Sequence, residues 1–578
     1  MTFEFDFLKD LDEKQREICR SPENYVLTAC PGSGKTRTIT YRLAYIQQKY
    51  LPSRKIIIAI TYTNRAANEI NERLHNLGID LSNIWAGTIH QFCMKYIIRP
   101  YSMYNERLSK GYSIIDEYVK KQYCDRIAET LGIDIKYKDP LGIPIIRENY
   151  EKLLKDKKEI DFDMILEISL QLLSRYSFIA DNISHTIRSI HVDEFQDTNE
   201  KQYAILSLIV KCNPSINTMF VGDVNQAIYQ SLGGIPKTLQ EIHSQFKVDF
   251  KADCLSGCYR STQRIVDFYT NFEVQKTGVK SKAEYCEEIG TIYYNYDIDK
   301  DDLLDEMVSI IKEQLNSGIP EKEICIVAPQ WYQIFPIAKK LRASLPDTKF
   351  DAPDIVPFKY DPMNPFFLFA QLIFTPAGNK VGARIRIASE VIDIMKNDYQ
   401  ILLQDELDVL GLLQIINAAP ALDDGIDCFE NAIQFIMKHL NVDFEQEHRF
   451  YEIYTMFIEK AKKRITTYKL PHTYSDICSC FEEKDGIVVN TIHGIKGEEY
   501  TVVIGFDLLN GHLPHWDYIY NDDKKSSRYV ETKKLLYVLC SRAKKKLFLF
   551  SEKGRYTLKG NEYTPTDELI SVSYNYDC

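Results

Sequence analysis

No uninterrupted apolar run in the 578 residues approaches the roughly 18 residues that a membrane-crossing helix requires. The longest candidate, 366–374, is interrupted by Gln371 and falls far short in any case. Residues 1–12 are acidic and lack the basic start and small-residue cleavage site of a secretory signal, so a cytoplasmic protein is expected. The 14 cysteines lack metal-site organisation: only Cys254/Cys258 and Cys478/Cys480 are near neighbours, and neither pair has a partner pair at ligand spacing. Buried reduced thiols are expected instead. A positive surplus is also missing, because 71 Lys and Arg face 82 Asp and Glu. The net charge of −11 excludes a broad basic face, so nucleic acid would have to be held in a local groove of aromatic and hydroxyl groups. Internal repeats and low-complexity tracts are absent. What remains is ordinary globular composition, 45% hydrophobic and 26% charged, in a chain long enough for three to five domains at roughly 150 residues each.

The most specific pattern lies near the N-terminus. The β-rich Tyr25-Val26-Leu27-Thr28-Ala29 runs into Cys30-Pro31-Gly32-Ser33-Gly34-Lys35-Thr36-Arg37 and then a helical stretch. Strand, glycine loop and helix in that order make a phosphate cradle. The glycines permit positive φ and close approach of backbone N–H groups, and the helix start adds partial positive charge. Lys35 would reach the β- and γ-phosphates, and the Thr36 hydroxyl would ligate Mg²⁺, which makes ATP and magnesium the expected ligands. A carboxylate ending another buried parallel strand must complete such a site. Ser189-Ile190-His191-Val192-Asp193-Glu194 meets that need, with Asp193 for the metal and Glu194 to orient and deprotonate the attacking water.

These residues, with further segments in order, resemble the UvrD/Rep/PcrA family of superfamily 1 helicases over most of the chain. Leu11-Asp12-Glu13-Lys14-Gln15 resembles the Q motif, which implies that Gln15 reads adenine. The segments around Thr61-Tyr62-Thr63-Asn64 and Thr88-Ile89-His90 resemble DNA-contacting motifs. Gly222-Asp223-Val224-Asn225-Gln226-Ala227-Ile228-Tyr229 resembles motif III, implying that Gln226 senses the γ-phosphate and Tyr229 stacks on a base. Tyr259-Arg260-Ser261 resembles motif IV, Asn490-Thr491-Ile492-His493 through Glu499 motif V, and Tyr537 through Ser541-Arg542 motif VI. The resemblance implies adenine stacking by Tyr259, γ-phosphate contacts from Arg260 and Arg542, ribose contact by Glu499, and DNA contacts by Thr491 and His493. Two guanidinium groups delivered from a second domain would neutralise charge on the transferring phosphoryl group only when a cleft closes, which ties nucleotide state to stepping.

The implied fold is α/β, with two RecA-like motor domains of parallel sheet, each interrupted by a mainly helical insertion. The first motor is expected at 1–91 and 182–253 around an insertion at 92–181, and the second at 254–364 and 484–578 around one at 365–483. The expected activity is ATP-dependent translocation on single-stranded or tailed duplex DNA with 3′ to 5′ polarity. After Tyr229, Gln230, Ser231 and Leu232 replace the family's aromatic and arginine, at a cost of about 1–3 kcal/mol for a lost base stack. That departure keeps a second reading open: a DNA-gated ATPase switch that regulates a partner nuclease without unwinding. The compact size resembles the helicase-like subunit of Gabija-type phage-defence systems, which implies a separate nuclease-ATPase partner.

Overall fold

Short runs of β-branched and apolar residues, bounded by glycine or polar turns, set the strands. In the computed structural model these are β1 Tyr25–Ala29, β2 Ile56–Thr61, β3 Ile84–Thr88, β4 Ile187–Asp193, β5 Asn217–Gly222 and β6 Lys251–Leu255. They form one six-stranded sheet in the order β3-β2-β4-β5-β1-β6, parallel throughout. A second six-stranded parallel sheet contains β7 Thr291–Asn295, β8 Ile324–Ala328, β9 Phe350–Asp351, β10 Ile487–Thr491, β11 Tyr500–Gly505 and β12 Ala543–Phe550, ordered β7-β12-β11-β8-β10-β9. Central strands such as β5 and β8 are buried almost along their length, as parallel strands covered by helices on both faces must be. The expected α/β fold with two RecA-like parallel sheets is thus what the chain adopts.

The structure describes residues 5–115, 117–135, 139–229, 233–352, 356–379, 381–404, 407–482, 485–520, 527–557 and 559–577. Gln230, Ser231 and Leu232, the departure noted after Tyr229, lie outside them. Two compact units emerge: Met1–Ile89 with Asp181–Pro353 and Lys484–Cys578, and His90–Ala180 with Asp354–Glu483. Both sheets belong to the first unit. The division expected between residues 253 and 254 falls inside β6, whose Cys254 and Leu255 still pair with Thr28 and Ala29.

The second unit is mainly helical, with long elements at Phe162–Arg175, Gly425–His439 and His448–Tyr468. Its aromatic core includes Phe366, Phe429 and Phe450, and Phe358 stacks flat on Phe457 at 5.1 Å. A buried ion pair joins Arg99 Nε to Asp398 Oδ1 at 2.9 Å, with Tyr112 Oη donating to the same oxygen at 3.0 Å. The ring of His90 meets Phe162 edge-on at 5.8 Å, and burial lowers its pKa. Among the described residues no helix is long and apolar enough to cross a membrane.

Candidate nucleotide and nucleic-acid site

The loop after β1 is shaped by two glycines in the left-handed region, Gly32 at φ 69° and Gly34 at φ 77°. A Cβ on Gly32 would lie 2.5 Å from Arg260 Cβ, so close approach of another segment also requires glycine there. Lys35 opens the following helix, Lys35–Lys49. Gln15 is buried and donates from Nε2 to Ser33 O at 3.0 Å, and a capping box with Asp12 holds its orientation. The Tyr259 N–H donates to Gly32 O at 2.8 Å, while Tyr259 Oη donates to Asp12 Oδ2 at 2.6 Å. Gln15 and Tyr259 therefore border the same end of the loop. Arg37 lies one turn along, its guanidinium 5.4 Å from the Tyr41 ring centroid.

Beside Lys35 the C-terminal ends of β4 and β5 concentrate carboxylates. Lys35 Nζ is 3.3 Å from Glu194 Oε1, and Thr36 Oγ1 donates to Asp193 Oδ2 at 3.4 Å. Glu194 adopts a left-handed backbone, φ 52°, an uncommon conformation for a residue with a side chain, which turns the chain sharply after the strand. Gln196 Nε2 donates to Glu194 Oε2 at 2.5 Å, and its Oε1 accepts from the Asp223 N–H at 2.9 Å. Gln226 Nε2 then donates to Asp223 Oδ2 at 2.7 Å, and its Oε1 accepts from Arg542 Nη2 at 2.9 Å. A continuous chain of contacts, half-buried at Lys35 and Glu194 and buried beyond them, thus runs from Lys35, beside the first sheet, to Arg542, which immediately precedes the last strand of the second.

The electrostatics follow from packing so many charges out of water. Burial and the adjacent Glu194 raise the Asp193 pKa. Burial alone would raise Glu194 as well, but Lys35 and Lys496 outweigh it and hold that carboxyl below the usual range. Burial moves Asp223 up to about 6, with Lys35 opposing the rise. Arg542 is pushed down to about 9 by burial and by repulsion from Arg260. Arg260 itself donates from Nε to Glu499 Oε2 at 2.7 Å and from Nη1 to Ser541 O at 3.0 Å.

These residues fit a nucleotide and a hard divalent cation. Ser33 Oγ is buried without a hydrogen-bond partner inside the loop, as a hydroxyl facing a phosphate oxygen would be. Thr36 and Asp193 supply the oxygen donors that Mg²⁺ prefers. Among the described residues no three His, Cys, Asp or Glu side chains are grouped to enclose a metal. A magnesium ion would therefore complete its shell with phosphate oxygens and water, as such sites do.

A second cluster adjoins the first. Tyr62, just after β2, stacks on Tyr229 with centroids 4.6 Å apart and planes at 21°. Tyr229 Oη donates to His493 O at 3.1 Å. Thr491, the last residue of β10, accepts the Gly494 N–H at 3.1 Å. Thr63 caps the helix Asn64–Asn76 by accepting from the Ala66 N–H at 3.2 Å, which places Thr63 and Asn64 at the C-terminal end of β2. Thr88 ends β3. His90, expected beside them, belongs to the second unit, and the structure does not group it with this cluster. Sequence reasoning also passed over Lys496. It donates from Nζ to Asp197 Oδ2 at 2.5 Å and to Gln226 O at 2.7 Å, and lies 4.8 Å from the Tyr229 ring centroid. Lys496 stands inside the segment that resembles motif V and Asp197 three residues after Glu194, but only the tertiary fold pairs them.

Two family models match the chain: the UvrD/REP helicase N-terminal domain over residues 11–141 and 143–247, and the UvrD-like helicase C-terminal domain over 432–554. The ATP-dependent DNA helicase PcrA of Staphylococcus epidermidis is 28% identical, the match covering 55% of this chain and 48% of that protein. PcrA of Leuconostoc citreum is 29% identical over 44% of this chain and 38% of its own length. PcrA of Bacillus subtilis is 24% identical, with 98% of this chain and 86% of the relative covered. The chain thus spans about half, or less, of the Staphylococcus epidermidis and Leuconostoc citreum relatives.

Proposed function

Since the chain belongs to the UvrD/Rep/PcrA-like helicase family, we propose that it hydrolyses ATP to move 3′ to 5′ along single-stranded DNA and so unwinds tailed duplex. The observation that carries this reading is the relay Lys35, Glu194, Gln196, Asp223, Gln226, Arg542, in which a phosphate loop and a guanidinium from opposite sheets share one network. Lys35 and the loop N–H groups bind the phosphates, with Gln15 and Tyr259 orienting the base and Glu499 at the ribose. Thr36 and Asp193 would hold Mg²⁺, which would neutralise phosphate charge when bound. Glu194, kept ionised by its cationic neighbours, takes the proton of the attacking water. Arg260 and Arg542 stabilise the transferring phosphoryl group, and Gln226 reports its presence by breaking or keeping its bonds to Asp223 and Arg542.

Tyr229, stacked between Tyr62 and the Lys496 ammonium, is placed to feel a base and to pass that contact to the carboxylate cluster. Thr63, Asn64, Thr88, Thr491 and His493 complete the strand contacts. Strand displacement on duplexes with a 3′ or a 5′ tail tests the proposal. Unwinding from the 5′ tail alone would defeat it. ATPase stimulation by single strands with no displacement would favour the DNA-gated switch, which the Lys496 link equally supports. Service beside a separate nuclease in phage defence is tested by co-purification of a nuclease with the tagged protein.

A further inference from the structure

The turn between β10 and β11 carries three charged side chains within four residues, Lys496, Glu498 and Glu499. Lys496 reaches Asp197 and Gln226 beside the first sheet, and Glu499 accepts from Arg260. Glu498 faces a third way. Its Oε1 accepts from Arg65 Nη1 and its Oε2 from Tyr500 Oη. Arg65 lies in the first turn of the helix Asn64–Asn76, which Thr63 caps after β2, so the pair joins a first-sheet element to this turn. Taking a carboxylate largely out of water is costly unless its oxygens are met, and here each oxygen has a donor.

The same residue holds Arg542. Arg542 Nη1 donates to Glu498 O at 3.2 Å, and the Tyr500 N–H donates to Arg542 O at 2.9 Å. The guanidinium and the backbone of Arg542 are thus fastened to Glu498 and Tyr500, the two residues that the Glu498 carboxylate bonds to each other. Stability does not explain the remaining bond, to Arg65. That side chain is 78% exposed against 13% for Glu498, and an ion pair with one partner in solvent adds little to folding. Placement does explain it. A guanidinium stabilises a transferring phosphoryl group only at the right distance, and a displacement on the order of 1 Å costs about a hundred-fold in rate.

We propose that Glu498 is a positioning residue for ATP hydrolysis, acting through Arg542, and that Arg65 fixes it by an ion pair reaching over from the first sheet. The inference rests on the translocase reading and deepens it, because the helix that begins at Asn64 is then joined to a phosphate-facing guanidinium through a single carboxylate. Steady-state ATPase of the full-length protein is measured at pH 8, above the value of about 7 to which burial lifts Glu498, and at oligo(dT) concentrations that saturate each variant. Arg65→Ala and Glu498→Gln each lower kcat about ten-fold or more and leave KM for ATP within about two-fold, since neither touches the Lys35 loop. Arg65→Lys, which keeps the charge, stays within a few-fold of the parent. R65A/E498Q is no slower than the slower single variant, because both changes remove one interaction. The melting midpoint of Arg65→Ala stays within about 2 °C of the parent, which separates placement from folding. An unchanged kcat in Arg65→Ala, or losses that multiply in the double variant, overturns the inference and leaves the translocase reading standing. If the parent hydrolyses no ATP under these conditions, the translocase reading falls and the inference with it.

Discussion

Replacing Lys496 by Met tests whether the two clusters are joined by charge. The Lys496 side chain is 7% exposed and that of Asp197 1%, so substitution strands a carboxylate out of water. Removing one partner of such a pair costs about 3–5 kcal/mol. Asp197 is already strained toward protonation: burial lifts its pKa from 3.8 to about 6 although Lys496 opposes the rise. At about 1.4 kcal/mol per pKa unit, that lift means keeping Asp197 charged at neutral pH costs the fold about 3 kcal/mol even with its partner present.

An acid with a raised folded pKa holds its proton more tightly folded than unfolded. The resulting stability is complete below about pH 4 and disappears as pH rises through about 6. Without Lys496 the folded pKa climbs further, so the parent and Lys496→Met differ little where Asp197 is protonated in both and most where only the parent tolerates the charge. Thermal midpoints at pH 5.5 and pH 8 check this. The variant should lose a few degrees at the lower pH and roughly 10 °C at the higher, taking about 2–4 °C per kcal/mol for a domain of this size. Asp223, whose shift does not depend on Lys496, titrates in both proteins and drops out of the comparison, and Glu194 loses one cationic neighbour in the variant but keeps Lys35. Asp197→Asn added to Lys496→Met should recover most of the pH 8 loss. A deficit equal at both pH values, or untouched by Asp197→Asn, would refute the reasoning.

Arg542→Ala should leave nucleotide binding within a few-fold of the parent and lower kcat by about 10³ or more, read by equilibrium binding and steady-state ATPase. Glu194→Gln should likewise bind ATP but fail to turn it over, because the amide cannot accept the water's proton; single-turnover hydrolysis reads this directly. Tyr229→Ala removes the ring between Tyr62 and Lys496 and should weaken oligo(dT) binding by about 1–3 kcal/mol in anisotropy titrations. Gly32→Ala forces a Cβ against Arg260 at a positive φ and should abolish nucleotide binding, measured by calorimetry.

The parts legible in the sequence are those where local chemistry decides the structure. Continuous β-branched runs such as Ile56–Thr61 admit little but a buried strand, and two glycines around Ser33 admit little but a positive-φ loop. Acid residues closing β4 point to the metal side of that loop because nothing else nearby accounts for them. Other elements gave weak signals. β6 reads Lys-Ala-Asp-Cys-Leu, an edge strand with exposed charge, so its hydrophobic pattern does not mark it as continuous with β1. β9 is only two residues long and is held by pairing with β10 rather than by its own propensity. Tyr62 and Lys496 were visible as residues, but stacking on Tyr229 and bonding to Asp197 are properties of segments more than 150 positions apart.

That distance is also what makes the arrangement suited to coupling. Gln226 sits where three connections meet: its side chain bonds Asp223 and Arg542, its carbonyl accepts Lys496, and three residues later Tyr229 stacks on Tyr62. A shift of the Tyr229 ring on meeting a base would move the Lys496 ammonium that lies against it, and that ammonium is one of the charges keeping Glu194 ionised. A phosphoryl group drawing Arg542 away would act on the same glutamine from the other side. Because thermodynamic coupling is reciprocal, a strand that raises ATP affinity must be bound more tightly by the ATP-loaded protein by the same factor. Measuring both factors with hydrolysis-deficient Glu194→Gln closes the cycle, and adding Lys496→Met should reduce their common value. A common factor left unchanged by Lys496→Met would mean that the path between the clusters does not run through Lys496.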